Sequence, residues 1–157
     1  MRLLIKSRGF DIILEILNCT NWGVIIVISE RYKINNKIYH DLIKLGAIIY
    51  IGYLENLENV YSYVDCYLFP VIDSYGSIDM PLTVIESIAC GTPVLSTYYK
   101  SLPRFLNKED GVFFYDDKND LIKKLKEISR YKFKCLNPEF LWDNIVRNVE
   151  NKYFEDK

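Results

Sequence analysis

Short runs rich in β-branched and aromatic residues recur along the chain: GVIIVIS at Gly23–Ser29, AIIYI at Ala47–Ile51, CYLFP at Cys66–Pro70, PVLS at Pro93–Ser96 and GVFFY at Gly111–Tyr115. Continuous apolar runs of this length are the mark of strands buried on both faces of a parallel sheet. Between them lie stretches with helical spacing: Gly9–Leu17, Ile38–Leu45, Leu57–Val64 and Leu82–Ala89. Gly46 stands where the second of these should stop. Parallel strands need a crossover for every step, and right-handed crossovers place helices on both faces. The pattern therefore predicts an α/β fold, a doubly wound parallel sheet flanked by helices. Two further helices are expected, a lysine-rich one over Asn119–Tyr131 and a terminal one over about 138–154 that carries Trp142. No linker or repeat interrupts the order, so one Rossmann-like domain over 1–157 is expected.

Composition narrows the partners. The 20 Lys+Arg and 21 Asp+Glu nearly cancel, so no bulk charge selects nucleic acid or an acidic membrane. Half the residues are hydrophobic, enough for a core in a chain of ordinary domain size. Cys19, Cys66, Cys90 and Cys135 are far apart, with neither zinc-ligand nor disulfide-framework spacing. Reduced, mostly buried thiols and a cytoplasmic location are expected. No apolar stretch approaches the length of a membrane span, and a soluble, unprocessed protein is expected.

In open sheets of this kind, ligands sit beyond the carboxyl ends of the strands where strand order reverses. The loops after Ser29, Ile51, Pro70 and Ser96 are the ones to search. The longest, Val71–Pro81, holds Asp73, Ser74, Tyr75, Gly76, Ser77 and Asp79 and enters a helix at Pro81. Free backbone N–H groups near Leu82, Thr83 and Val84 would face a phosphate or diphosphate with the positive end of the helix dipole. Glu86, a turn further on, is placed to accept hydrogen bonds from the vicinal hydroxyls of a ribose. From the residues alone, an equal alternative stays open: Glu86 as a solvated helix residue and Gly91 as a helix C-cap.

PLTVIESIACGTPV, preceded by YVDCYLFP, resembles the donor-binding motif of retaining GT-B glycosyltransferases of the group 1 type. KSRGFDIILEIL resembles the family's basic helix start, with Arg8 where lysine is usual and Lys6 or Arg2 as a second positive charge. IIYIGYLENLENVYSYVD, GVFFYDDKNDLIKKLKEI and FLWDNIVRNVENKYF resemble the family's following elements, so the likeness covers nearly the whole chain. It implies the carboxy-terminal, nucleotide-sugar-binding half of a GT-B enzyme. Lys6, Arg8, Tyr53, Leu54, Gly76, Ser77, Leu82, Thr83 and Glu86 would then bind the donor, and Asp79 and Arg8 would act in catalysis. Retaining transfer without metal or other cofactor is implied. Asp116 and Asp117, a tempting metal pair, read better as helix caps. The readings of Arg8 as a solvated charge and of Tyr53 as ordinary core stand beside the functional ones.

Two departures qualify the likeness. Ile78 occupies the position of a family glutamate that touches the donor sugar, with Asp79 as its neighbour and substitute. A GT-B enzyme also has a second Rossmann-like domain for the acceptor, and the single histidine, His40, lies on an amphipathic helix where a structural role is expected. The acceptor is unknown, and an acceptor-domain partner or a homo-oligomer is expected to complete the site. The alternatives are a non-catalytic nucleotide- or protein-binding module derived from a GT-B half, and a different doubly wound protein.

Overall fold

The alternation of apolar strands and amphipathic helices takes shape in a computed structural model, which describes residues 9–31, 33–72 and 78–128. In chain order the elements are α1 (Phe10–Cys19), β1 (Ile25–Ile28), α2 (Asn36–Lys44), β2 (Ile48–Ile51), α3 (Leu57–Tyr63), β3 (Tyr67–Phe69), α4 (Leu82–Ala89), β4 (Val94–Ser96), α5 (Leu102–Phe105), β5 (Val112–Phe114) and α6 (Lys118–Ile128). All pairings are parallel: β1 with β2, and β3 with β4 with β5. The fold is a Rossmann-like α/β arrangement of parallel strands flanked by helices. Among the described residues the strands form two hydrogen-bonded sets, of two and three, rather than one continuous sheet.

Local signals set most of the boundaries. The Asn35 side chain accepts from the Lys37 N–H at 2.9 Å and starts α2. Gly46, at φ 87°, ends it in the left-handed conformation that favours glycine. The buried residues of α6, Leu121, Leu125 and Ile128, recur at helical spacing on one stripe. The observed α1 runs past the expected Leu17 to Cys19, and the strands are trimmed by a residue or two at their ends.

Within β3, β4 and β5, alternate residues serve opposite faces. Tyr67, Phe69, Val94 and Val112 join Val84 and Ile88 of α4 and Leu102 of α5 in one cluster. Leu68, Leu95 and Phe113 join Ile16 of α1 and Leu121, Leu125 and Ile128 of α6 in another. This set is buried on both faces, as its apolar runs predict. Val24 and Leu68 also pack against a third cluster, in which α1 and α2 cover Ile26 and Ile28 of β1.

The expectation of two-sided burial fails for β1 and β2. Ile25, Val27, Ile48 and Tyr50 are exposed, while Ile26, Ile28 and Ile49 turn towards α1 and α2. The helix between β2 and β3, α3, packs against α4. Thr92 Oγ1 donates to the Tyr61 carbonyl, and the Tyr61 and Tyr67 rings meet edge to face with centroids 5.4 Å apart. These contacts hold α3 against α4 and β3. The short helix α5 and the 3-10 turn Lys108–Asp110 were not expected from spacing. The latter is built by a capping box between Asn107 and Asp110 that delivers the chain to Gly111. The terminal helix over 138–154, with Trp142, and Cys135 lie outside the described residues.

Candidate functional site

The helix α4 begins one residue after the proline that announces it. Pro81, at φ −67° and ψ 118°, is the N-cap rather than the first helical residue, and its carbonyl accepts the Val84 N–H at 3.1 Å. Val84 therefore has no free amide for a ligand, which corrects the expectation that its N–H points outward. The amides of Leu82 and Thr83 remain at the positive end of the helix. Leu82 is exposed. The Thr83 hydroxyl instead accepts from Tyr67 Oη at 3.1 Å and faces β3.

Glu86 is exposed on α4, and Gly91, at φ 78°, terminates the helix with its N–H on the Ile88 carbonyl at 2.9 Å. Both features of the alternative reading are thus present. Glu86 is nevertheless more than a free surface charge, because it borders the buried Tyr61 phenol. Burial pushes the Tyr61 hydroxyl well above its ordinary range, and Tyr67, Glu86 and Cys90 push in the same direction, with hydrogen bonding to Glu86 adding to it. Tyr61 remains a protonated donor beside the carboxylate. One side of Glu86 is steadied by α3 and the other is open to solvent.

Asp79 is exposed and accepts a hydrogen bond from Ser101 Oγ, on the segment that follows β4. Tyr99 Oη donates to the Ile78 carbonyl at 3.4 Å, so residues 78–79 are pinned to that same segment. Gly9, the N-cap of α1 at φ 69°, lies against Pro70, where the functional loop departs. Arg2, Lys6, Arg8, Gly76 and Ser77 lie outside the described residues. Tyr53 is not core: its ring is 83% exposed after β2, with its carbonyl accepting from Tyr50 Oη at 3.2 Å, and Leu54 is half-buried. His40 is exposed on α2, with Nδ1 2.9 Å from the Asn36 carbonyl.

A cleft of about 450 Å³ opens at the carboxyl ends of β3, β4 and β5, between the amino ends of α1 and α6. Asp11, Glu15, Val71, Thr97, Tyr98, Tyr115, Asp116, Asp117 and Lys118 contribute to its walls. Glu15 pairs with Lys118, and the hydrogen bond that the Lys118 ammonium donates to that carboxylate raises the lysine's pKa. Asp117 accepts the Asp120 N–H at 2.9 Å, and Asp120 accepts the Asp116 N–H at 3.3 Å, so this acidic run caps α6. No cluster of metal-ligating side chains occurs among the described residues. Tyr115 is buried and its hydroxyl has no hydrogen-bond partner.

Sequence spacing did not single out Tyr98, Tyr115 and Asp11, which line this cleft. Tyr98 lies in the loop after Ser96, one of those that the strand-end rule points to, whereas Tyr115 follows β5, whose carboxyl end lies outside those four loops. The described cysteines are free, but Cys19 is exposed rather than buried. No described helix is long and apolar enough to cross a membrane. Compared with known proteins, residues 10–130 match the family model described as Glycosyl transferases group 1. No curated protein matches the chain.

Proposed function

The chain belongs to the group 1 glycosyl transferases, and from that premise we propose that it is a donor-binding half that holds a nucleotide-sugar for retaining, metal-independent glycosyl transfer. Glycosyl transfer in general follows from the family. The observation that carries the finer reading is the pairing, on one helix, of Leu82 and Thr83 amides that no hydrogen bond among the described residues engages with the solvent-facing carboxylate of Glu86 beside Tyr61. Main-chain donors at a helix amino end suit a diphosphate, and a carboxylate further along suits ribose hydroxyls. Thr83 would serve through its amide, since its hydroxyl is engaged by Tyr67. Arg8 and Lys6 would supply positive charge to the leaving nucleoside diphosphate, and Gly76 and Ser77 would line its loop. Tyr53, with Leu54 beside it, offers an exposed ring for the base. A partner supplying an acceptor domain, or a second copy, would complete the reaction.

A second reading, a binding module without transfer, is favoured by one feature. The donor-sugar position is Ile78, and the adjacent Asp79 carboxylate is already held by Ser101. Calorimetric titration with UDP-, GDP- and ADP-sugars tests both readings. Binding of one of them is expected, and Glu86→Ala is expected to cost about 1 to 3 kcal/mol, the worth of hydrogen bonds to a charged group. Absence of binding to every sugar nucleotide would remove the first reading. Binding without transfer or hydrolysis, in the presence of an acceptor domain, would favour the second.

A further inference from the structure

Thr83, Glu86 and Ser87 stand three and four residues apart on α4 and so share one side of it. Both hydroxyls on that side are engaged by neighbouring elements. Thr83 accepts from Tyr67 Oη of β3 at 3.1 Å. The fully buried Ser87 donates from Oγ to the Thr92 carbonyl at 3.1 Å, and its own carbonyl accepts the Thr92 N–H at 3.0 Å. Thr92 Oγ1 in turn donates to the Tyr61 carbonyl, which ties the main chain of α3 to the turn that ends α4. Rotation of α4 about its own axis would break the whole set, so the direction in which Glu86 leaves the helix is fixed.

Two tyrosines complete the arrangement. The Tyr61 ring is buried and meets the Tyr67 ring edge to face, with centroids 5.4 Å apart. Each ring limits the movement of the other, and their hydroxyls reach α4 about a turn apart, Tyr67 at Thr83 and Tyr61 at Glu86. A glutamate on a helix surface otherwise moves among several staggered rotamers, and a ligand that needs one of them must order the side chain as it binds. A phenol held by burial is a stiff donor that selects one rotamer beforehand. The two carboxylate oxygens offer about four acceptor positions, so one bond from Tyr61 leaves capacity on the solvent side. We propose that Tyr61 is a positioning residue for the ribose of the donor: braced by Tyr67, it orders the Glu86 carboxylate so that its open side meets the vicinal hydroxyls. This role rests on the donor-binding reading. A network that merely joined α3 to α4 would affect every ligand of α4 alike, whereas positioning affects only ligands that carry ribose hydroxyls.

The full chain and its Tyr61→Phe, Glu86→Ala and doubly substituted variants are titrated calorimetrically with UDP, GDP and ADP and with the 2′,3′-dideoxy form of each. Tyr61→Phe keeps the ring against Tyr67 and the carbonyl that accepts from Thr92, so the junction of α3 with α4 is retained. At least one ribonucleotide is expected to bind the parent. Tyr61→Phe should weaken it about three- to tenfold, the worth of ordering one rotamer-rich side chain on binding, and leave the dideoxy form within about twofold. Because Tyr61 acts through Glu86, the double variant should bind no more weakly than Glu86→Ala alone. Equal losses for the ribose and dideoxy forms, or losses that add in the double variant, would overturn the positioning role and leave the donor reading standing. If none of the nucleotides binds the parent, the donor reading falls and this role falls with it.

Discussion

Replacing Gly9 with alanine would test how the first helix is anchored to the loop that leads into α4. Gly9 has φ 69°, and a Cβ built there would lie 2.3 Å from the Pro70 carbonyl oxygen, 2.6 Å from its Cβ and 2.8 Å from its Cγ. Two costs add. Holding alanine in the left-handed region costs roughly 1 to 2 kcal/mol. Relieving the overlap requires movement of the Pro70 main chain and ring, neither of which can rotate away, and overpacking of this kind costs about 1 to 3 kcal/mol. Gly9→Ala should therefore lose about 2 to 5 kcal/mol.

Two other glycines separate the terms. Gly46 has φ 87° with nothing within 4 Å of a built Cβ, so Gly46→Ala should show the conformational cost alone, about 1 to 2 kcal/mol. Gly23 has open space and no positive φ, so Gly23→Ala should stay within about 0.5 kcal/mol of the parent. Urea unfolding followed by circular dichroism measures all three, with an unchanged slope required for the comparison. If Gly9→Ala loses no more than Gly46→Ala, the close approach to Pro70 is soft and the anchoring argument fails.

Three further outcomes can be checked independently. Tyr115→Phe removes a buried hydroxyl without a partner, so the ligand-free protein should gain about 1 kcal/mol in the same urea assay; a loss would mean that the hydroxyl is satisfied. Burial holds the Cys66 thiol up to about 12, opposed by a hydrogen bond from Leu95 and assisted by Asp65. Folded protein at pH 8 should therefore alkylate at the exposed Cys19 and spare Cys66 until it is unfolded, as peptide mass mapping would show. The same shift fixes an alkaline sign. The folded value lies above the unfolded one, so its contribution to stability is whole below about pH 9 and is lost as pH rises through about 12. Cys66→Ala should lose less stability over that window than the parent.

What the sequence conveyed depended on whether the cause was local. The boundaries of α4 were legible because PLTVIESIACGTPV carries its own proline, apolar period and terminating glycine. The parallel α/β class was legible for the same reason, since each strand and helix bears its period. The exposure of β1 and β2 was not, because GVIIVIS reads the same whether one face is covered or both. Coverage of a strand face depends on contacts distant in sequence, such as the one that sets α3 against α4 through the hydrogen bond from Thr92 to Tyr61. Four residues of LPRF are too few to show a helical period, so α5 was silent. The cleft was hidden for a stronger reason: its walls come from α1, α6 and the ends of β3, β4 and β5, and Tyr98 and Tyr115 are two of 13 tyrosines.

The two candidate sites share a structural border, and that border constrains how they can work together. The segments after β3 and β4 are tied by Thr97 N–H on the Phe69 carbonyl at 3.3 Å, Thr97 Oγ1 on the Val71 carbonyl, Tyr99 Oη on the Ile78 carbonyl and Ser101 Oγ on Asp79. Val71 and Thr97 line the cleft, while Ile78 and Asp79 lead directly into α4. A ligand that displaced either segment would therefore strain hydrogen bonds belonging to the other, and any coupling between the sites must be reciprocal in binding free energy. Among the described residues four carboxylates and one ammonium line the cleft, whereas the amino end of α4 presents the positive end of a helix dipole, so the hydrogen bonds between the two segments join surroundings of opposite electrostatic character.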